Sequence, residues 1–477
     1  MFATHIREDL YHCLKCAMCQ AVCPTYLVTR MERYAPRGRV QMVRKYLEGD
    51  LGVSPGLREA LTSCMLCESC AGACPSGVRL NRVFENMRME LHENLGESLP
   101  KRALFHALKH PLLMRLGAKV GRMGQKGFLI PLNVSWKLGN IPVTRFQTFN
   151  SVPFRKTAGP LASPQGTRTG RVIYFTGCAT DLVNEDVGAA VIKVLNTMGV
   201  EVIVPQDQVC CSVPVFLSGA RREALANVHK NLAVLDQSDV DAIVVDCATC
   251  GGALKTGIPH LLEDLGLDTE KALRVAAKVR DVTEIVAERL ADLELRDMKQ
   301  TTTVTYHDPC HLSRTMRISR QPRDILRAMQ DVRLVEMTAS DQCCGGAGAF
   351  QFEHPEISAE VTALKKSRIR DTHAQVVATG CPGCRLTLAG NLNESGDPIV
   401  VHTVQLLAER LIPSRFPKGK ISGGNPLSEN AIPLEGTSCK KFLPTNPVPK
   451  TLRTLDGSDR ADGSCELAGA LSCPAVP

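Results

Sequence analysis

From Ser98 to Thr180 the sequence contains no aspartate and no glutamate, although lysine and arginine recur through that stretch. Lys101, Arg102, Lys109, Arg115, Lys119, Arg122 and Lys126 alternate with Leu104, Leu108, Leu112, Leu113 and Leu116. An apolar patch at 128–134 and Trp136 follow. A basic amphipathic stretch of this kind suits an anionic membrane surface or an acidic partner protein, and equally a helix packed on the body with a solvated basic face. Aromatic residues make up only 4% of the chain, and no stacking pattern or groove-binding motif accompanies the charge, which argues against nucleic acid. The N-terminus has early acids and no apolar core of a signal peptide. No apolar run approaches the length of a membrane span. The expectation is a cytoplasmic protein, at most peripheral on the inner face of a membrane. A dinucleotide fingerprint is also missing, because C-G-G-A-G-A-F lacks the third glycine.

What the chain has in abundance is cysteine: 21 in 477 residues, most of them in repeated patterns. Cysteine in such patterns points to metal in a reducing compartment, whereas the competing reading, a disulfide framework, belongs to secreted chains. Cys13 to Cys23 reads C-L-K-C-A-M-C-Q-A-V-C-P, and Cys64 to Cys74 reads C-M-L-C-E-S-C-A-G-A-C-P. Each is C-x2-C-x2-C-x3-C-P, the run that holds a cubane [4Fe–4S] cluster, with its fourth cysteine ligating the other cluster. Cys13, Cys16, Cys19 and Cys74 therefore form the first expected set, and Cys64, Cys67, Cys70 and Cys23 the second. Two-residue spacing turns successive sulfurs inward and leaves backbone N–H groups free for the sulfides. Pro24 and Pro75 end the runs and fix the chain's exit.

The spacer between the runs reads as helical. Ser54-Pro55 suits an N-cap and first turn, and Val40, Val43 and Leu47 share one face, as do Val83, Met87 and Leu91. Arg37 and Arg39 suit either the negative charge of a cluster or plain solvent exposure. Past a Pro-, Gly-, Ser- and Thr-rich segment at 150–170, strands at Val172 to Thr176, Glu201 to Val204 and Ala242 to Val245 alternate with helices at Val187 to Met198 and Arg221 to Leu235. This order predicts a parallel α/β layer, and it returns between Thr303 and Leu411.

The recurrence is an internal repeat in register with its cysteines. The first copy has Cys178, Cys210-Cys211 and Cys247-x-x-Cys250, with 31 and 35 residues in the gaps. The second has Cys310, Cys343-Cys344 and Cys381-x-x-Cys384, with gaps of 32 and 36. Open parallel sheets bind ligands at the carboxyl ends of their strands, so five thiols from three loops are expected to converge on one pocket in each copy. A zinc site or reactive free thiols are the alternatives, although zinc takes four ligands and not five. His307 and His311 flank Cys310 and suit either a hydrogen bond to a ligand or a structural role.

H-D-P-C-H at His307 to His311, C-C-G-G-A-G at Cys343 to Gly348 and C-P-G-C at Cys381 to Cys384 resemble the cysteine-rich "CCG" domains. Two such domains behind a two-cluster helical ferredoxin resemble the iron–sulfur subunit of glycolate oxidase, with its lactate and glycerol-3-phosphate counterparts, and the catalytic subunit of heterodisulfide reductase. The resemblance implies that each copy binds a non-cubane [4Fe–4S] cluster through its five cysteines. Ser212 stands where the glycine of C-C-G belongs, which makes the second copy the safer site. The full cysteine set adds weight to the disulfide-reductase relative, since glycolate oxidase subunits often lack one.

The organisation expected is a helical ferredoxin domain (1–99), a basic amphipathic helical segment (100–149), a linker (150–170), two CCG domains (171–300 and 301–412) and a disordered tail (413–477). Cys439, Cys465 and Cys473 in the tail fit no ligand spacing. Two functions follow. One is an electron-transfer subunit of a 2-hydroxy-acid oxidoreductase, with FAD on a separate partner subunit and a quinone or other carrier as acceptor. The other is a disulfide reductase acting at a non-cubane cluster. A redox sensor is a third reading, weakened because no DNA-binding segment is visible.

Overall fold

The computed structural model describes residues 4–123, 137–138, 141–142, 148–164 and 166–412. Lys126, the 128–134 patch, Trp136 and the tail with Cys439, Cys465 and Cys473 lie outside them.

The N-terminal part is helical, with α1 (Thr4–Tyr11), α2 (Pro24–Thr29), α3 (Pro36–Glu48), α4 (Pro55–Thr62) and α5 (Leu80–Leu95). Three of these helices start on proline, which fits the first turn because no N–H is required there. Ser54 caps α4 by accepting from the Leu57 N–H at 3.2 Å, as its sequence predicts. The predicted faces of α3 and α5 do meet: Val40, Val43, Val83, Met87 and Leu91 are buried in one core with Leu57 and Leu61. Gly38 lets α3 cross the chain closely, since a Cβ there would lie 2.1 Å from the Glu32 carbonyl oxygen.

Helices α6 (Leu99–Lys109) and α7 (Pro111–Met123) carry the basic stretch. Phe105 and Leu108 are buried in the core of the first repeat. Leu112, Leu116 and Val120 lie on one side of α7 and are exposed, as are Leu113 and Met123. The segment after residue 147 is packed down. Phe154 and Arg155 are buried, and Arg155 Nη2 donates to Asp181 Oδ2 at 2.8 Å.

The first sheet has the order β1-β3-β2-β4-β5, with β1 (Leu161–Ala162), β2 (Gly170–Phe175), β3 (Val200–Ile203), β4 (Ala242–Val245) and β5 (Val279–Asp281). Only the short β1 is antiparallel to its neighbour. Helices α8 (Glu185–Thr197), α9 (Arg221–Leu235) and α10 (Val282–Glu288) cover it. Strand alternation splits β2 and β4 between two cores. Ile173, Phe175, Ile243 and Val245 face α9, while Val172, Tyr174, Ala242 and Val244 face α8 and α10.

The second sheet comprises β6 (Thr302–His307), β7 (Val332–Leu334), β8 (Val376–Thr379) and β9 (Ile399–His402), all parallel, in the order β9-β8-β6-β7. Its helices are α11 (Arg320–Ala328), α12 (Pro355–Arg370), α13 (Pro382–Asn391) and α14 (Thr403–Arg410). Leaving β1 aside, both sheets place their strands in the same relative order, second-first-third-fourth. The repeat read from the cysteines is thus a repeat of topology.

The two copies clasp reciprocally: α8 packs on α14, and α10 packs on α11. The helix after the first strand of each copy meets the last helix of the other. Val304, Tyr306, Ile325, Val376, Ala378, Val404 and Leu407 accordingly share one core with the α8 face of the first sheet. Such an exchange has the form of a pseudo-twofold interface inside one chain.

Candidate metal centres

Each N-terminal cysteine run folds into a tight loop by the same backbone device. Lys15 and Ala17 in the first run, and Leu66 and Glu68 in the second, take positive φ at equivalent positions. Alternation of this kind turns successive N–H groups and sulfurs toward one side and forms an anion-binding nest. The Leu66 N–H already points at Cys64 Sγ, 3.4 Å away.

The loops are crossed. Cys13, Cys16, Cys19 and Cys74 line one pocket with Arg37 and Leu80. Cys23, Cys64, Cys67 and Cys70 line the next with Thr25, Arg39 and Phe84. Burial, reinforced by Cys13, Cys74 and Cys16, pushes the Cys19 thiol up to about 11. Burial also raises Cys70, helped by Cys64, Cys67 and Cys23. Thiols so placed keep their protons at neutral pH unless a cation replaces them. Four soft donors in a small pocket, on loops whose left-handed residues turn the backbone inward, fit an iron–sulfur cluster.

The two arginines after the first run divide the alternatives left open by the sequence. Arg37 is partly exposed and pairs with Glu32 at 2.7 Å. Arg39 is fully buried. It donates from Nε to the Ala60 carbonyl at 2.7 Å and from Nη2 to the Ser63 carbonyl at 2.9 Å and Ser63 Oγ at 3.0 Å. It therefore ties the residues leading into Cys64 to Thr25, next to Cys23.

The cysteines of the repeats lie where strands end. Cys178 follows β2, Cys247 follows β4, Cys310 follows β6 and Cys381 follows β8, with Cys210-Cys211 and Cys343-Cys344 in the loops after β3 and β7. A separate pocket was expected in each copy; among the described residues the two sets share one. Cys178, Cys210, Cys211, Cys247 and Cys250 line a cavity of about 360 Å³, and Cys310, Cys343, Cys344, Cys381 and Cys384 line the same cavity. The reciprocal clasp brings the two switch-point ends face to face, which local periodicity does not encode. In the first set Cys250 Sγ lies 3.5 Å from Cys211 Sγ. In the second, Cys344 Sγ, Cys384 Sγ and a ring nitrogen of His307 lie within 4.8 Å of one another. Hydrogen bonding to Cys344 and Cys381, together with burial, raises the Cys384 thiol. Thr249 of the first copy reaches both Cys381 Sγ (3.9 Å) and His311 Nδ1 (3.3 Å) of the second. Five thiols per set exceed the four that tetrahedral zinc takes.

Ser212 has φ 65, the left-handed conformation that glycine prefers, and is fully buried. The backbone turn of the motif survives the substitution. Gly345, its counterpart, is needed for a different reason: a Cβ would lie 2.1 Å from Thr362 Oγ1 on α12.

The N-terminal sulfurs adjoin the cavity. Cys64 lines it. Cys67 packs with Cys343 and Cys310, and burial followed by the Cys343 charge pushes its thiol up to about 12. Two residues that sequence reasoning missed secure this contact. Arg88, on α5, donates to the carbonyls of Leu61 (2.9 Å), Thr62 (3.1 Å) and Cys64, and to Leu217 of the first repeat at 2.8 Å. Lys365 donates to the carbonyls of Ala339 (2.9 Å) and Ser340 (3.1 Å), just ahead of Cys343. Its signal was available: it stands on the buried stripe of α12 with Ser358, Val361, Thr362 and Ile369. Arg88 carries the same mark, on the buried stripe of α5 with Phe84 and Leu91.

Comparison with known proteins follows the same lines. A model of the family described as "4Fe-4S dicluster domain" matches residues 9–78, and one described as "Cysteine-rich domain" matches 172–255 and 304–389. The chain is 29% identical over 419 residues to a probable glycolate oxidase iron-sulfur subunit of Bacillus subtilis, covering 84% of this chain and 94% of the relative. It is 30% identical over 409 residues to a subunit of the CoM/CoB fumarate reductase of Methanothermobacter marburgensis, covering 84% and 72%. A subunit of the dihydromethanophenazine:CoB–CoM heterodisulfide reductase of Methanosarcina acetivorans is 25% identical, covering 84% and 94%.

Proposed function

The chain belongs to the family of iron–sulfur oxidoreductase subunits that join a 4Fe-4S dicluster domain to two cysteine-rich domains, and from that premise we propose that it is the electron-transfer subunit of a flavin-dependent 2-hydroxy-acid oxidoreductase. The observation that carries this reading is the unbroken succession of thiol sets. It runs from the exposed Cys16 through the Cys23/Cys64/Cys67/Cys70 pocket to the shared cavity.

In this reading Cys13, Cys16, Cys19 and Cys74 hold one cubane, and Cys64, Cys67, Cys70 and Cys23 hold the other. Cys310, Cys343, Cys344, Cys381 and Cys384 hold a non-cubane cluster, and Cys178, Cys210, Cys211, Cys247 and Cys250 hold a second one. Bound there, such clusters pass single electrons, so the hydride removed from a 2-hydroxy acid must first be split by a flavin, placed on a partner subunit. The chain's own residues position and insulate. Arg39 and Arg88 fix the Cys64 loop, while Met65 and Phe350 exclude water where Cys67 meets Cys343. The exposed Leu112, Leu116 and Val120 beside Arg115 and Lys119 offer a docking face for the flavoprotein or an anionic membrane near a quinone.

One observation favours the second reading, a disulfide reductase. A cavity of about 360 Å³ lined by eleven cysteines, ten from the repeats and Cys64, has room for a small sulfur substrate. Anaerobic co-purification separates the two. A bound flavoprotein with 2-hydroxy-acid-dependent dye reduction supports the first. Thiol–disulfide turnover by the chain alone with an artificial donor supports the second and refutes the first.

A further inference from the structure

Among the differences between the two cysteine-rich copies, one places a histidine beside the metal site. His307 ends β6, three residues before Cys310; Phe175 ends β2, three residues before Cys178. The His307 ring is fully buried. Its Nδ1 lies 3.2 Å from the Ser340 carbonyl oxygen. A carbonyl only accepts, so Nδ1 carries the proton. The same oxygen takes the Lys365 ammonium at 3.1 Å and the Asp308 N–H at 3.1 Å, which fixes its position beside the ring.

In that tautomer Nε2 is the acceptor nitrogen, and it has no hydrogen-bond partner among the described residues. His307 lines the cavity, and one of its ring nitrogens lies within 4.8 Å of both Cys344 Sγ and Cys384 Sγ; Nδ1 is the nitrogen already engaged by Ser340, which leaves Nε2 for the sulfurs. A buried acceptor facing two sulfurs is unfavourable when the sulfurs are thiolates, because every group in the set is then electron-rich. A metal ion among them removes the conflict. A histidine that donates one ring N–H to a backbone carbonyl and turns its other nitrogen inward has the arrangement of a metal ligand with its tautomer fixed.

We propose that His307 Nε2 is a ligand to the metal of the second cysteine-rich site, a nitrogen donor that the first site lacks. The proposal rests on the reading that this site holds an iron–sulfur cluster. It makes the two sites chemically unequal: five sulfurs in one, five sulfurs and a nitrogen in the other.

The test uses the full chain made without oxygen on [15N]histidine, with iron counted per chain and the reduced protein examined by pulsed EPR. The expected result is iron above the ~8 atoms of two cubanes and a 15N coupling of a directly bonded imidazole. That coupling disappears in His307→Phe, which reproduces Phe175 of the first copy, and persists in His311→Phe. A purely structural histidine gives no such coupling in the unsubstituted protein, whatever the variant does to folding. Iron above ~8 with no 15N coupling overturns the ligand while leaving the cluster reading intact. Coupling that survives His307→Phe overturns it in favour of another histidine. Iron that stops at ~8 overturns both, and the count itself identifies the cluster reading as the failure.

Discussion

Replacing Arg39 with methionine is expected to empty one N-terminal metal centre and spare the other. The guanidinium is fully buried and gives three hydrogen bonds of 2.7 to 3.0 Å to Ala60 and Ser63. Methionine fills part of the space and makes none of them. The Ala60 carbonyl keeps a donor, because Ser63 Oγ also reaches it at 2.8 Å. The Ser63 carbonyl does not, and stranding a buried acceptor costs about 1–3 kcal/mol. Loss of the other charge-assisted bonds adds about 1.5–3 kcal/mol, so a total of about 2.5–6 kcal/mol is expected for the iron-loaded protein. Without metal the cost shrinks, because the variant also removes a buried cation that no carboxylate among its hydrogen-bond partners neutralises. The readouts are anaerobic urea unfolding and iron per chain. Arg39→Met should lose about 4 iron atoms, one cubane, and Arg37→Gln should lose none, its exposed pair with Glu32 contributing about 0–1 kcal/mol. An Arg39→Met protein within about 1 kcal/mol of the parent and with full iron would refute the reasoning.

Cys344→Ala should lower iron per chain by about 4 and leave the cubane EPR signals in place; unchanged iron removes the second cysteine-rich site from the scheme. Gly38→Ala forces a methyl group to within 2.1 Å of the Glu32 carbonyl, and should destabilise by about 1–3 kcal/mol in the same urea assay. Asp331 is buried and accepts from Arg410 Nε at 2.9 Å, which holds its carboxyl below the usual range. A lowered folded pKa contributes stability that is complete above the unfolded value of about 3.9 and lost as pH falls through the folded one. Asp331→Asn should therefore cost about 3–5 kcal/mol at pH 7 and flatten the pH dependence of stability below pH 4.

What was legible in the sequence was local. The C-x2-C spacing announces a tight loop because the loop is built from those residues alone, and Lys15, Ala17, Leu66 and Glu68 duly take left-handed backbone. Ser54, the α9 helix and the β4 strand follow from capping and periodicity. The single cavity was not legible. It depends on α8 meeting α14 and α10 meeting α11, pairs whose apolar faces look like any other helix face. Gly345 shows the same limit. Its place in the motif is plain, but the contact that forbids a side chain there is with Thr362 on a helix further along the chain.

The reciprocal clasp has a consequence for how the molecule can vary. In a homodimer built on this plan, every mutation would strike both halves at once, and the paired centres would stay identical. Fused in one polypeptide, each half accepts changes alone. Phe175 opposite His307, and Ser212 opposite Gly345, are differences that an obligate symmetric pair could not carry.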